Sequence, residues 1–521
     1  MVLESILSNR KKGAFYRGIN TITARHEFGL LALILVGFLG VITMLSAQLW
    51  PVWMDEVLLT DPAANLFLGN GFTSSAWYYQ TRDEVWACNA PLYALLLFPW
   101  LKVFGLQVAT TRLLNYVLIS LSMVLIWCAV YRLNLVSTTR DRFILIALIL
   151  CSYGVSFTYL SGRYDCLAIA LFSGLMLAYT FPSSLPRTAV FLGIGFLIPL
   201  AGFHLLPYGV ILAALLFPFL GKPVLKAGIP IGVGMVLGLG ATVFLYAQQG
   251  VLDTFIETLG GHTLGGLDVV PDSAKDAGVG QKMMFALTNL GPILVSRFAG
   301  IGEWYFQDGS FVLLMAGAIA LASIQRINQT FYWRSPLGFG LLAGVVVPLL
   351  MGLVRNYPKY YGWMGIIPLV IGISAALVGV RGSALKKPGI LWVAVLLIAS
   401  SIPGLPNRLV PGLLHWQDRD YQRVEQFVQA NIAADEVVYS DFAPYYAIRK
   451  RVDTVLFPSY LDVMSDEDKQ QLTTLLLELT QEHKNYQDIN LFEQIGGGWY
   501  ETNARLDTSQ FQLRIFKRKA A

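Results

Sequence analysis

Charged residues are scarce in this chain of 521 residues, because Asp, Glu, Lys and Arg make up only 14% of it and 55% is hydrophobic. Soluble proteins carry roughly 25% charged residues, so this composition and a mean hydropathy of +0.56 exclude an ordinary soluble enzyme. Disorder is excluded as well, since 13% aromatic residues and a formal net charge of +5 leave ample apolar surface to bury. The basic residues form short scattered clusters, so nucleic acid is not an expected partner.

Cysteine is also scarce. Cys88, Cys128, Cys151 and Cys166 have no metal-ligand spacing, and three of them lie in or beside apolar runs. We therefore expect them to serve packing and infer no disulfide framework.

The N-terminus lacks the small-residue cleavage pattern of a signal peptide. Its basic residues precede an uncharged run over 28–49, which is long enough to span a bilayer. By the positive-inside rule the N-terminus is then cytoplasmic. With ten later apolar runs, the sequence predicts about eleven transmembrane helices in the inner (plasma) membrane, with the C-terminus on the periplasmic or extracytoplasmic side. The later runs are 108–130, 143–160, 165–181, 188–203, 205–220, 228–247, 310–325, 337–354, 361–380 and 389–403.

Eleven basic residues in five short loops support this register, because they fall on the side predicted to be cytoplasmic. They are Arg132, Arg140, Arg142, Arg187, Lys222, Lys226, Arg326, Arg334, Arg381, Lys386 and Lys387. The opposite side receives the long polar segments 50–107 and 248–309 and the whole C-terminal part. We therefore predict a membrane domain over 1–411 and a soluble α/β domain over 412–521 on the outer side. In that domain, the patterns predict helices at 421–432 and 466–482 and strands at 437–439, 455–457 and 511–516.

Ionisable groups near membrane depth are costly and persist only with a partner or a function. Asp55 and Glu56 follow the first predicted span directly, within Trp53-Met54-Asp55-Glu56. One carboxylate of such a pair can act as a general base while the other orients it. The alternative is that one of them only caps the helix that begins near residue 57.

Further polar groups lie in the outer segments. Arg82, Asn89 and Tyr93 belong to a polar loop that runs into Pro91 and an apolar half-helix, which suggests an interfacial element. Arg163 and Asp165 share a very short turn and either neutralise each other or take part in catalysis. Arg297 and Glu303 precede the eighth predicted span.

A second outer turn, 355–361, combines Arg355 and Lys359 with three tyrosines. Such a set suits a phosphate, which favours charge-assisted donors. The same residues could instead anchor the chain at the membrane interface. The span centres are almost free of charge, which is not typical of an ion transporter and places any chemistry at the outer interface.

The sequence resembles the GT-C class of polytopic glycosyltransferases, in particular the branch of protein O-mannosyltransferases and lipid A aminoarabinose transferases. The resemblance rests on Trp53-Met54-Asp55-Glu56, Asn89-Ala90-Pro91-Leu92-Tyr93, Gly162-Arg163-Tyr164-Asp165 and Pro358-Lys359-Tyr360-Tyr361, on their order, and on the predicted span count. It implies a GT-C type fold and transfer of a sugar from a polyprenyl-phosphate carrier to a hydroxyl of a lipid, glycan or protein, usually with inversion.

The resemblance implies that Asp55 is the general base and Glu56 its neighbour in the acidic pair. Lys359, Arg355, Tyr360 and Arg163 would hold the carrier phosphate, and Asp165, Asn89, Tyr93, Arg82, Arg297 and Glu303 are possible substrate contacts. Relatives often place Lys or His just before a Pro-Pro-Leu stretch, where this chain has Asn89, and Arg82 is a candidate to compensate. No metal cluster is visible in the sequence, although some relatives use a divalent ion, for which Asp55 and Asp165 would be the ligands.

Two other functions stay open at this point. A flippase or transporter of lipid-linked sugars also needs many spans and outer cations. An oligosaccharide polymerase or ligase would use arginines and a histidine of a large outer loop, for which Arg297 and His262 are candidates.

Overall fold

The structure, a computed structural model, describes residues 21–264, 288, 290–327, 329–380, 387–479 and 491–519. This part of the chain is mainly helical and carries one five-stranded sheet near its C-terminus. The basic residues that support the predicted orientation at 10–17, 381 and 386 lie outside the described residues, as do the side chains of Arg25, His262 and Lys387.

The helices of the membrane part follow one another with short connections. In chain order they are α1 Thr21–Leu49, α2 Met54–Leu68, α3 Leu92–Phe104, α4 Val108–Arg132, α5 Thr139–Cys151, α6 Tyr153–Leu160, α7 Asp165–Tyr179, α8 Leu185–Ala201, α9 Leu205–Leu220, α10 Lys222–Gln248, α11 Leu252–Leu264, α12 Leu290–Gln307, α13 Gly309–Ile327, α14 Pro336–Val354, α15 Trp363–Val380, α16 Lys387–Ser401 and α17 Leu405–Leu414.

Six helices within the described chain are long and apolar enough to cross a membrane: α1, α4, α10, α13, α14 and α15. Two more spans result if the bent pairs α5 with α6 and α16 with α17, which turn by 62° and 49°, each count as one. The chain is therefore a multi-pass membrane protein. The count of eleven stays a prediction, because three of the predicted spans coincide with α7, α8 and α9, apolar helices of only 15 to 17 residues.

The C-terminal part contains the helices α18 Tyr421–Asn431, α19 Tyr445–Arg449, α20 Asp466–Gln471 and α21 Leu491–Gln494. Its strands are β1 Val437–Ser440, β2 Thr454–Leu456, β3 Thr474–Glu478, β4 Trp499–Asp507 and β5 Gln512–Arg518, in the spatial order β2-β1-β3-β5-β4. Strand β1 pairs in parallel with β2 and β3, and β5 pairs antiparallel with β3 and β4. The predicted helix at 421–432 and the three predicted strands are confirmed.

The predicted helix over 466–482 is wrong beyond Gln471. Ser465 and Asp468 form a capping box that starts a helix, but the chain then enters the fully buried central strand β3. Its Leu475-Leu476-Leu477 run has no polar alternation, and a short continuous apolar run fits a buried strand and a buried helix equally well. Positions 480–482 of that prediction lie outside the described residues.

The C-terminal domain docks on α2 and on the loop that follows it. The backbone N–H of Phe457 donates to the carbonyl of Ser75 at 3.3 Å, and the Ser75 hydroxyl donates to the carbonyl of Val455 at 2.5 Å. Arg82 forms an ion pair with Asp468 at 2.9 Å. The domain thus packs against the loop between α2 and α3.

Candidate functional site

Asp55 lies in the first turn of α2, four residues after Pro51. A proline disfavours helical backbone in the residue before it, which fits the end of α1 at Leu49. The N-cap residue of α2 is the extended Trp53, so the simpler interpretation that Asp55 or Glu56 caps the helix is wrong. Carboxylates in a first turn are favoured by the positive end of the helix dipole.

Arg163 lies between two carboxylates. Its Nη1 donates to Asp55 Oδ2, and its Nε donates to Asp165 Oδ2 at 2.9 Å. The guanidinium also stacks over the ring of Tyr360, 3.7 Å from the ring centre. The side chain of Asp55 is 17% exposed, that of Arg163 4% and that of Asp165 0%. Of the three, Asp55 is therefore the one that a substrate can reach.

Asp165 orients Arg163 from inside the protein. Its second oxygen, Oδ1, accepts from Trp363 Nε1 at 3.3 Å and lies 3.9 Å from His204 Nε2. Burial lowers the pKa of His204 well below its usual range, so the imidazole is neutral at pH 7 and adds no charge. Both Asp165 oxygens are thus in use.

A divalent ion does not fit between Asp55 and Asp165 as they lie, because Arg163 bonds to both carboxylates and already supplies a positive charge there. Among the described residues no group of three or more His, Cys, Asp or Glu side chains converges on a metal position.

The turn that carries Arg163 is held by three neighbours. Gly162 has φ +69°, in the left-handed region, and a Cβ there would lie 2.5 Å from Glu56 Cγ, so only glycine fits. Trp53 Nε1 donates to the Ser161 carbonyl at 2.8 Å, and the Tyr93 hydroxyl donates to the Gly162 carbonyl at 3.2 Å. Tyr93 is buried, and it supports the site from behind.

Glu56 points away from Asp55, into the protein. Its two carboxylate oxygens accept from Arg112 Nε at 2.8 Å and Nη2 at 2.5 Å, and both side chains are fully buried. The sequence analysis missed Arg112, although an arginine inside the apolar run 108–130 is the kind of costly intramembrane charge that signals a partner.

Two cations, Arg355 and Lys359, lie beside this network. Neither Arg355 nor Lys359 forms an ion pair with any carboxylate that the structure describes, and Arg355 Nε is buried without a hydrogen-bond acceptor there. The Arg355 guanidinium lies over the ring of Tyr361 at 5.0 Å, and Lys359 Nζ lies 5.7 Å from the ring centre of Phe157. Phe157 in turn contacts Trp53 and Tyr360, which links Lys359 to the Asp55 side.

The electrostatics tie these groups into one site. Burial raises the pKa of Asp55 above its usual value of 3.8, while the nearby guanidinium groups of Arg163 and Arg355 oppose that rise. A carboxylate with a raised pKa holds a proton more readily, which is the property a general base needs.

The other predicted contacts lie elsewhere. Arg82 is paired with Asp468, Asn89 accepts through its side chain from the backbone of Ala90, and Glu303 is exposed and accepts from Gln307. Arg297 is buried on α12 and donates to the carbonyl of Leu353, two residues before Arg355. The structure thus brings together Asp55, Arg163, Asp165, Arg355 and Tyr360, with Lys359 at the side.

An apolar groove of about 1000 Å³ lies between α9 and α10. It begins at Val210, six residues or roughly 9 Å along α9 from His204, and extends toward the connection at Gly221. Its lining is aliphatic and aromatic, with no charged side chain among the residues that form it.

No protein-family model matches the chain, and no curated protein matches its sequence. Among solved structures, ArnT from Cupriavidus metallidurans bound to undecaprenyl phosphate is similar with a TM-score of 0.54 and 11% identity, over 94% of this chain and 98% of that one. An Archaeoglobus fulgidus oligosaccharyltransferase tethered with an acceptor peptide has a TM-score of 0.45 at 12% identity, over 90% of this chain and 73% of that one. The mycobacterial arabinofuranosyltransferase AftD has a TM-score of 0.44 at 13% identity, over 94% of this chain and 40% of that one.

At 11% identity the likeness to ArnT shows the fold. The predicted resemblance to the GT-C class is confirmed at that level: the chain has the GT-C fold over nearly its whole length. A shared fold does not determine the activity, which depends on the residues of the site.

Proposed function

We propose that this protein is a glycosyltransferase that moves a sugar from a polyprenyl-phosphate carrier to a hydroxyl group of a lipid, glycan or protein. The observation that carries the proposal is the convergence of a partly exposed carboxylate, Asp55, with Arg355, and with Lys359 at the side. Among the described residues neither cation has an acidic partner. Base and phosphate clamp are the two elements that this reaction requires of a protein. The GT-C fold also supports this proposed activity.

In the proposed reaction Asp55 takes the proton of the acceptor hydroxyl. The hydroxyl oxygen attacks the anomeric carbon, and the bond from that carbon to the phosphate oxygen breaks on the opposite face, so that the configuration inverts. The carrier phosphate leaves with the electron pair of that bond, and Arg355 and Lys359 stabilise its charge. Arg163 holds Asp55 in place.

The polyprenyl tail needs an apolar path away from the site. The groove between α9 and α10 offers one, since it begins near His204 and its lining is apolar. We propose the hexosyl or pentosyl unit of the donor as the group transferred.

We propose that residues 1–411 form the catalytic membrane domain and residues 412–521 an outer domain. The contacts of Ser75 and Arg82 with the C-terminal domain support this, because both residues belong to the loop that follows the helix of Asp55. The positive-inside pattern of the loops supports the periplasmic or extracytoplasmic side for both, with the N-terminus in the cytoplasm.

The test is to incubate the purified full-length protein with a radiolabelled polyprenyl-phosphate sugar and a mixture of acceptors. Transfer, or slow release of the sugar to water, supports the proposal. Movement of the intact lipid across liposomes without a glycosidic product favours a flippase, and activity only with a lipid-diphosphate glycan favours a polymerase or ligase.

Lys359→Ala and Arg355→Ala should each weaken binding of the polyprenyl-phosphate donor by about tenfold, because each removes a charge-assisted contact to the phosphate. Donor affinity in nanodiscs is the measurement. Lys102→Ala is the matched control, since Lys102 also lies over an aromatic ring, that of Phe98, but is exposed near the end of helix α3. Unchanged affinity in the first two variants would assign both cations to membrane anchoring.

A further inference from the structure

A tyrosine of the C-terminal domain reaches the residue next to Asp55. The hydroxyl of Tyr446, on α19, donates to Glu56 Oε1 at 2.9 Å, across 390 positions of sequence. Tyr446 is fully buried. Burial and the Glu56 carboxylate raise the pKa of Tyr446 well above its usual range, so the phenol keeps its proton and remains a donor.

Arg112 fixes Glu56 from the other side. Besides its two bonds to Glu56, its guanidinium donates to the carbonyls of Ser46, Trp50 and Pro51 at 2.6, 2.8 and 3.1 Å. All five N–H groups of the guanidinium are thereby used. The end of α1, the segment that leads to Asp55, and the start of α2 are thus joined through one buried pair.

Glu56 also touches the turn that carries Arg163. The Cβ position of Gly162 lies 2.5 Å from Glu56 Cγ and 2.8 Å from Glu56 Cδ, so the turn rests on this side chain. A shift of Glu56 would therefore move both partners of the Asp55–Arg163 contact. Asp55 would move because it is the neighbour of Glu56 in the chain, and Arg163 would move because its turn contacts the Glu56 side chain.

We propose that Tyr446 is a positioning residue for Asp55. Tyr446 acts through Glu56, and this contact makes the C-terminal domain part of the machinery that carries out transfer. The inference rests on the proposed function and goes beyond it, since it assigns a role to a domain whose sequence offers no motif. It predicts that the loss of one hydroxyl outside the membrane domain changes turnover at Asp55.

The neighbouring Tyr445 supplies a matched control. Its hydroxyl donates to Asp61 Oδ1 at 3.1 Å, five positions further along α2, and Asp61 is also paired with Arg449 at 3.1 Å. Tyr445 and Tyr446 are equally buried and make the same type of bond to a paired carboxylate on the same helix. Only the Tyr446 bond ends beside Asp55.

The experiment compares Tyr446→Phe with Tyr445→Phe in the full-length protein, measuring kcat, KM for a polyprenyl-phosphate sugar, and the melting temperature. Tyr446→Phe should lower kcat about tenfold and leave KM within about twofold, while both variants lose similar thermal stability. Tyr445→Phe should keep kcat within about twofold of the parent protein. Equal effects of the two variants on kcat, or no effect of Tyr446→Phe, would overturn the inference.

Asp55→Asn is assayed in parallel to separate this inference from the proposed function. If Asp55→Asn retains full turnover, the proposed function fails and the role of Tyr446 fails with it. If Asp55→Asn is inactive and Tyr446→Phe turns over normally, the proposed function stands and only the positioning role is overturned.

Discussion

Asp55 differs from the acidic residues around it because its side chain is partly exposed. Glu56 and Asp61 are fully buried and matched by Arg112 and Arg449, whereas Asp55 keeps one side open to solvent while Arg163 holds the other. Breaking a buried pair costs roughly 3–5 kcal/mol, so the inner pairs act as rigid supports. The outer carboxylate can change its protonation without loss of the fold.

The sequence was sufficient to single out Asp55, Arg163, Asp165, Arg355 and Lys359, because each stands at the end of an apolar run. It did not predict which way Glu56 points, since the direction of adjacent side chains depends on where a helix begins. The partners Arg112 and Tyr446 were missed for a different reason. They lie 56 and 390 positions from Glu56, and such long-range pairing leaves no local pattern.

Asp308 provides a test of pH dependence at the residue scale. It lies between α12 and α13, its Oδ2 has no hydrogen-bond partner among the described residues, and burial raises its pKa from 3.8 to about 7. The folded protein therefore binds a proton more readily than the unfolded chain, so the free energy of unfolding should fall as the pH rises from about 4 to about 7, by at most ~4 kcal/mol.

Asp308→Asn should remove this part of the pH dependence, because the amide keeps an acceptor for the Phe311 N–H and cannot ionise. Melting temperatures in detergent at pH 5 and pH 8 measure the difference, with the exposed Asp83→Asn as the control. We expect the wild-type protein to lose melting temperature relative to Asp308→Asn between pH 5 and pH 8. An unchanged difference between the two proteins at the two pH values would contradict this prediction.

The turn between α6 and α7 is the element on which the site depends most. Gly162→Ala should lower transfer strongly, because the new methyl group would overlap Glu56 and displace Arg163. Gly69→Ala is the matched control: Gly69 also has positive φ, +92°, but no atom lies within 4 Å of its Cβ position. Both should lose about 1–2 kcal/mol from backbone strain.

Measurements of turnover and of melting temperature for both variants distinguish the two effects. We expect Gly69→Ala to retain turnover and Gly162→Ala to lose it. Equal turnover in the two variants would mean that the Arg163 turn does not rest on Glu56.

At the level of helices and strands, the apolar runs of the sequence fall mainly on helices, although the run 143–160 is divided between α5 and α6. The sequence also predicted three of the five strands that the structure describes in the C-terminal domain. The number of spans stays a prediction, because some apolar runs form helices as short as α7, and helix length depends on where the chain turns. The sequence prediction failed at β3, where a buried central strand lacks the alternation that identifies a half-exposed one.

At the scale of the molecule, the fold joins two regions that the sequence presents as separate. The C-terminal domain contributes Tyr445, Tyr446 and Arg449 to the buried face of α2, so the helix that carries Asp55 is covered by both parts of the chain. A domain attached only by a linker would show few such contacts. We therefore expect the site to be complete only in the full-length protein.

The role of Asp55 as the general base is tested most directly by transfer of a radiolabelled sugar from polyprenyl phosphate. The wild-type protein and Asp55→Asn are compared in the same lipid environment. We expect product with the wild type and a loss of at least about a hundredfold in Asp55→Asn, as removal of a general base implies, with an unchanged melting profile. Wild-type turnover in the Asp55→Asn protein would contradict that role.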